Sequence, residues 1–264
     1  MKTDIQKLHD VNLALAKEFV HICDDNGLTY YMLGGTMLGA VRHKGFIPWD
    51  DDMDFGMPRK DYESFLAIAP RLISDNLDLL HYKTHPDYRY YIARLQNKYT
   101  KVMEIGNGET CASIDIFPLD GSPNNRILRY LFYFRVTYHR LMLALYYGMD
   151  VRKGKIIERM MRILISKFSK LSVRKIINPF THKQKIDKIL SIYDMKDSQW
   201  SGNIMGTYQI REMIPTAWYG DKSFFCFEGI DIRGIEKYNN YLTRLYGDYM
   251  QEKKRAVHYK IIDI

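Results

Sequence analysis

Ile5, Leu8, Val11, Leu15, Phe19 and Ile22 recur at spacings of three and four along the first segment. This period predicts an amphipathic helix with Asp4 as its cap and Asp24-Asp25-Asn26-Gly27 as its stop. The apolar run Leu28–Leu33, rich in aromatics, then reads as a strand. A Gly34-Gly35 pair follows, and Thr36–Arg42 can form a short helix. Alternation in Met53–Met57 predicts a second strand, and Pro58 fits the first turn of a helix reaching Ala69, with Tyr62, Phe65, Leu66 and Ala69 facing inward. Leu77–Tyr82 and Cys111–Phe117 read as further strands. Tyr88–Leu95 fits either period; a strand leading into Thr100–Ile105 is favoured. Glu104–Thr110 is a hairpin-like turn, and Pro118–Pro123 closes the first half.

Beyond Asn124 the period becomes helical. Asn125–Tyr147 is one long aromatic segment, residues 152–177 place Ile157, Met160, Met161, Leu164, Phe168 and Leu171 on one face, and a third helix runs from Thr181 to Tyr193. The remainder offers a short strand at Phe224–Glu228 and a helix at Ile235–Tyr246. With no repeat and no low-complexity linker, the expected arrangement is α+β: a mixed-sheet core over residues 1–123, a mostly helical insert over 124–199, and a segment from 200 to 264 that packs back on the core.

Composition changes this picture little. The chain has 264 residues, 46% hydrophobic and 27% charged, ordinary for a globular protein. Its charge is more informative. Residues 151–178 carry nine Lys/Arg against Glu158 alone, an excess equal to the net +8 of the whole chain. The rest is balanced, which disfavours a specific nucleic-acid binder. The basic side of helix 152–177 (Lys155, Arg159, Arg162, Arg174) reads equally as a solvated face or as a surface for anionic lipid or a lipid-linked acidic polymer. Three dispersed cysteines without CxxC spacing indicate neither a disulfide scaffold nor a zinc cluster. The N-terminus has no apolar signal core and no stretch is long enough to span a bilayer, so the expected location is the cytoplasm, with possible peripheral contact at the inner face of the plasma membrane.

Gly34–Pro58 concentrates the chemistry. Four aspartates stand within five positions, at 50, 51, 52 and 54. Side chains two apart on a strand share a face, which groups Asp52 with Asp54, adds Asp50 if the strand starts early, and turns Asp51 away. Carboxylates so close repel unless a cation lies between them, and hard oxygens suit Mg²⁺ or Mn²⁺. Asp115, between Ile114 and Ile116, is costly in a central strand unless paired or metal-bound, and can reach the same site. Glycines at a strand-to-helix turn allow close approach of a ligand, and the helix start offers free N–H groups to phosphate, so Gly34, Gly35 and Thr36 are candidate phosphate binders. Tyr31 and Trp218 are candidates for holding a quaternary ammonium, in competition with Tyr88, Tyr90 and Tyr91, although most aromatics simply pack. Glu228 is a candidate further acid. His9 and His21 read as surface or cap residues.

The segment GGTMLGAVRHKGFIPWDDDMDFGMPRKDYESF resembles the signature of the LicD family, and SIDIFPLDG (113–121) and the stretch 227–250 with LYGDYM extend the likeness over about residues 28–250. Prolines typical of the family near 233 and after 250 are absent. The resemblance implies a nucleotidyltransferase-like core in which an acidic pair on one strand joins a single acid on its neighbour. It assigns Asp52 and Asp54 to metal, Asp115 to a second metal or to the base, and Arg42 and Lys44 to charge on the donor. It implies transfer of phosphocholine from CDP-choline to a hydroxyl of a lipid-linked cell-surface glycan or teichoic-acid precursor, with release of CMP. Alternatives are another CDP-alcohol such as CDP-ribitol, an NTP-using enzyme that releases pyrophosphate, or a non-catalytic glycan- or membrane-binding protein.

Overall fold

The computed structural model describes residues 3–105, 108–147, 176–252 and 259–263. Helix α1 (Asp4–Asp25) is capped by Thr3 rather than by Asp4: the Thr3 hydroxyl accepts from the Gln6 N–H while the Gln6 side chain accepts from the Thr3 N–H. Strand β1 is only Tyr31–Met32, and α2 (Gly34–His43) starts at the glycine pair itself. Next come β2 (Asp54–Pro58), α3 (Arg59–Ile68), β3 (Leu77–Leu80), β4 (Ala93–Glu104) and β5 (Gly108–Gly121). Two long helices, α4 (Arg126–Tyr147) and α5 (Pro179–Leu190), precede β6 (Trp200–Gly202) and β7 (Met213–Pro215). The hairpin β8 (Ser223–Phe227) and β9 (Ile230–Gly234), helix α6 (Tyr238–Tyr246) and strand β10 (Tyr259–Asp263) complete the described chain. The helix expected at 152–177 lies, all but its last two residues, outside the described ones.

The class is α+β, built on a mixed sheet. Its order is β1-β2-β5-β4-β10, with β3 paired to β4 and β6 joining β5 to β7. Only β2 and β5 run parallel in this set; the other pairs are antiparallel. Strand β5 is central and longer than its apolar run implies, because its far end is paired by β6 (Asp120 with Gly202, Gly121 with Ser201) from a part of the chain eighty residues on. Tyr88–Ile92 precedes β4 without joining it; the Tyr91 and Ile92 side chains pack in a separate cluster instead.

One face of the sheet is covered by Leu15, Phe19 and Ile22 of α1, Phe65 of α3, and Phe55, Ile114 and Ile116 from β2 and β5, all buried in one cluster. The second cluster joins Tyr82, Tyr91 and Ile92 to Phe132, Tyr133 and Val136 of α4 and Ile186, Ile189 and Leu190 of α5. A buried ion network ties the two layers. Arg59, at the start of α3, reaches Asp120 of β5 at 2.6 Å and Asp187 of α5 at 2.8 Å, and also donates to the Tyr91 hydroxyl.

Candidate active site

The strand-to-helix turn after β1 faces the start of β2. Leu33 N–H donates to the Asp54 carbonyl and Asp54 N–H donates to the Thr36 hydroxyl, at 2.9 and 2.8 Å. Asp54 is therefore fixed from both sides of its peptide unit. In the parallel ladder it lies directly opposite Asp115, whose own N–H donates to the Met53 carbonyl at 2.9 Å. Two carboxylates on adjacent central strands thus share one register level.

The electrostatics follow from that placement. Burial is the main cause raising the Asp54 carboxyl well above the ordinary carboxylate range, with Asp52, Asp115, Glu212 and Asp50 adding repulsion. Asp115 is also raised by burial, but Arg94 opposes this: its Nε stands 2.6 Å from one Asp115 oxygen and its other arm 3.4 Å from the second. Arg94 is itself buried, paired across the strands with Asp115, close to Glu104 at 3.4 Å, and lies 4.2 Å above the Tyr90 ring. The Tyr90 hydroxyl donates to Glu104, so the chain Tyr90–Glu104–Arg94–Asp115 fixes the orientation of the last carboxylate.

Asp50, Asp51 and Asp52 form a second acidic grouping, each bringing one oxygen within 4.8 Å of the others. Asp51 is buried and precedes β2, which begins only at Asp54. One of its carboxylate oxygens accepts from Tyr259 N–H of β10 at 2.7 Å, and its carbonyl accepts from the Asn12 amide at 3.3 Å. His9 is not a free surface residue. Its Nε2 lies 2.6 Å from the Asp50 carbonyl and its ring stacks on Phe46 at 4.1 Å, so α1 pins the acidic loop from behind.

The glycine pair makes room for carboxylates. A Cβ on Gly35 would stand 2.5 Å from an Asp50 oxygen, and one on Gly34, whose φ is +49°, would stand 3.2 Å from an Asp54 oxygen. Gly34 N–H donates to the Tyr241 hydroxyl at 2.9 Å, so this turn holds its phosphate candidates beside the acids with one N–H already bonded. The Tyr246 hydroxyl faces the same turn, 3.6 Å from the Gly34 Cβ position.

The other candidate residues stand at the end of α2, at the β8–β9 turn and in the core. Arg42 and Lys44 are at the far end of α2, about 12 Å along the axis from Gly34; Arg42 donates to the Tyr249 carbonyl at 3.1 Å and Lys44 is the exposed left-handed cap of the helix. Glu228 accepts from Phe46 N–H at 3.1 Å beside Gly45, latching the exit of α2. Tyr31 is buried in the core, where its hydroxyl donates to the Gly220 carbonyl at 3.2 Å and its ring meets Tyr219. Trp218 is half-buried against the same core. Tyr31, 5% exposed, offers no open aromatic face.

Four neighbours escape a reading of the sequence. Arg94 had a signal, a charge inside the apolar run YYIARL; Tyr241 and Tyr246 had only helical spacing. Glu212 had none. It is buried, accepts from Tyr208 N–H at 2.7 Å, and fills space that a Cβ on Gly206 would occupy. Burial pushes its carboxyl up to about 7.

This donor set fits a hard divalent cation. Asp52, Asp54 and Asp115 lie close enough to repel one another, and the energetic cost of ionising Asp54 among neighbouring acids is what such a cation would remove. Residues 27–140 match the family model described as LicD/FKTN/FKRP, nucleotidyltransferase domain. Over 258 residues, covering 95% of this chain and 92% of the relative, the sequence is 26% identical to the lipopolysaccharide cholinephosphotransferase LicD of Haemophilus influenzae. A shorter stretch of 46 residues, 17% of this chain and 9% of the relative, is 41% identical to human ribitol 5-phosphate transferase FKRP. Over 57 residues, 22% of this chain and 18% of the relative, it is 42% identical to an uncharacterized protein of Rickettsia typhi.

Proposed function

We propose, from the premise that residues 27–140 form a LicD-type nucleotidyltransferase domain, that this chain is a phosphotransferase acting on a CDP-alcohol. In the finer form of this reading, phosphocholine passes from CDP-choline to a hydroxyl of a lipid-linked cell-surface glycan. The observation that carries it is the pairing of Asp54 with Asp115 at one level of the parallel ladder, beside the glycine turn. Similarity along nearly the whole chain to a lipopolysaccharide cholinephosphotransferase supports choline as the alcohol.

Asp52, Asp54 and Asp115 would hold Mg²⁺ or Mn²⁺, which when bound neutralises the donor's diphosphate and the departing phosphate. The residues of the chain do the rest. Arg94 opposes the effect of burial on Asp115 and orients it; Thr36 and the Leu33 N–H hold Asp54 in register; Gly34 and Gly35 let the donor's phosphates approach the helix start. The acceptor oxygen forms a bond to the phosphorus that bears the alcohol, the bond from that phosphorus to the CMP oxygen breaks, and the hydroxyl proton passes to a carboxylate of the set. Tyr241 and Tyr246, rather than Tyr31, are the tyrosines whose hydroxyls stand at this turn.

The test is product analysis with a hydroxyl-bearing glycan acceptor and Mg²⁺, comparing CDP-choline, CDP-ribitol, CDP-glycerol and CTP. CMP released fastest from CDP-choline is the expected result. Preference for CDP-ribitol would replace the alcohol and keep the chemistry; pyrophosphate from CTP without CMP from any CDP-alcohol would overturn the reading.

A further inference from the structure

Helix α4 is apolar on two opposite sides. Phe132, Tyr133, Val136 and Leu143 are buried against the second cluster. At 100° per residue, Ile127, Leu131, Phe134 and Tyr138 form one stripe on the opposite side. They are 72%, 55%, 66% and 46% exposed. Tyr130, beside the stripe, is 56% exposed. Large side chains at this exposure, aligned over three turns, are not the scattered surface apolar residues of a water-facing helix. An apolar circumference belongs to a helix buried in protein or in lipid.

Charge selects the occupant. Helix α4 contains four arginines and no acidic residue. Arg126 and Arg135 are exposed and flank the stripe on opposite sides. The residues that follow α4 in sequence, 151–178, carry the chain's whole positive excess. Among the described residues no helix is long and apolar enough to cross a membrane, and the four arginines oppose a spanning role for α4. Aromatic and aliphatic side chains between arginines are the composition of a helix lying in the headgroup region, with its apolar side in the acyl boundary.

We propose that the Ile127–Tyr138 face of α4 is a docking surface for a bilayer rich in anionic lipid. It does not rest on the donor assigned above. The same helix packs its inner side on the layer that Arg59 and Asp120 join to the central strand β5, so docking would orient the catalytic sheet relative to the membrane plane.

The full-length chain should partition onto vesicles of phosphatidylglycerol and phosphatidylcholine, less onto pure phosphatidylcholine, and less again at high salt. Replacing Ile127, Leu131, Phe134 and Tyr138 together by Ser should lower partitioning onto the anionic vesicles about tenfold or more. Its thermal unfolding should stay unchanged, because these side chains are exposed. An independent readout uses Phe134→Cys with Cys111→Ser and Cys226→Ser, Cys23 being buried. An environment-sensitive dye at 134 should shift to the blue only when anionic vesicles are added. Unchanged partitioning of the quadruple variant would overturn the proposal. So would a dye already shielded in water and indifferent to vesicles, which would mean that residues 148–175 or a second copy cover the face. If the quadruple variant does not fold, the dye decides alone.

Discussion

At the scale of single residues, burial makes ionisation costly at Asp54 and Asp115. Asp54 is held high by burial and by Asp52 and Asp115. Asp54→Asn should therefore raise the stability of the metal-free protein while lowering turnover at least about 100-fold and abolishing the thermal upshift produced by Mg²⁺. Retained turnover in Mg²⁺ would remove Asp54 from the ligand set. Glu212 behaves differently, since its buried carboxyl titrates near 7 against an ordinary 4.5. Between these values the folded chain keeps a proton that the unfolded chain has lost. The stabilisation is complete below about pH 4.5 and is lost as pH rises through about 7. Glu212→Gln keeps an acceptor for Tyr208 N–H and removes the titration. In EDTA, the difference in unfolding free energy between variant and wild type should grow in the variant's favour from pH 4.5 to 8, by up to about 3 kcal/mol. A difference that stays flat with pH would refute the assignment.

At the scale of elements, the turn from β1 into α2 matters most. Both glycines stand where a side chain would meet an aspartate oxygen, but by different amounts. Gly35→Ala places its Cβ where an Asp50 oxygen now lies, 2.5 Å away. That oxygen ends a short side chain that can rotate, so the expected fold cost is small, about 1 kcal/mol, while the acidic loop shifts and turnover falls about tenfold or more. Urea unfolding and CMP release measure the two separately; equal wild-type turnover would show that Asp50 has no part in the site. The far end of α2 works as a latch. Lys44 adopts the left-handed cap, Glu228 N–H donates to its carbonyl, and the Glu228 carboxylate receives Phe46 N–H. That arrangement makes the β8–β9 turn a support for the loop carrying the aspartates.

At the scale of the whole molecule, the helical layer and the sheet are held together through Arg59. Its guanidinium is fixed by Asp120 and Asp187, and burial makes either carboxylate hard to remove without leaving a charge uncompensated. Asp120→Asn should destabilise the fold by about 3 kcal/mol in chemical denaturation. Turnover per folded molecule should stay near wild type, because Asp120 lies five positions along β5 from Asp115, about 17 Å away. A fall in turnover without loss of stability would instead place Asp120 in the chemistry.

The sequence by itself determined the elements whose information is local: the period of α1, the glycine pair at the start of a short helix, and the strand that follows the aspartates. It also carried the motif by which the LicD likeness was legible. Only the tertiary structure decided how these pieces meet. The end of β5 is a strand because β6 arrives from residues 200–202 to satisfy its backbone groups. Tyr31 is a core residue because the Gly220 carbonyl waits for its hydroxyl. Arg42 is tied to the Tyr249 carbonyl and Lys44 caps α2, while Arg94, Glu212 and Tyr241 are brought in from distant segments. Periodicity fixes which way a side chain points from its own element; which charge or backbone group it meets depends on contacts distant along the chain, and no local pattern encodes them.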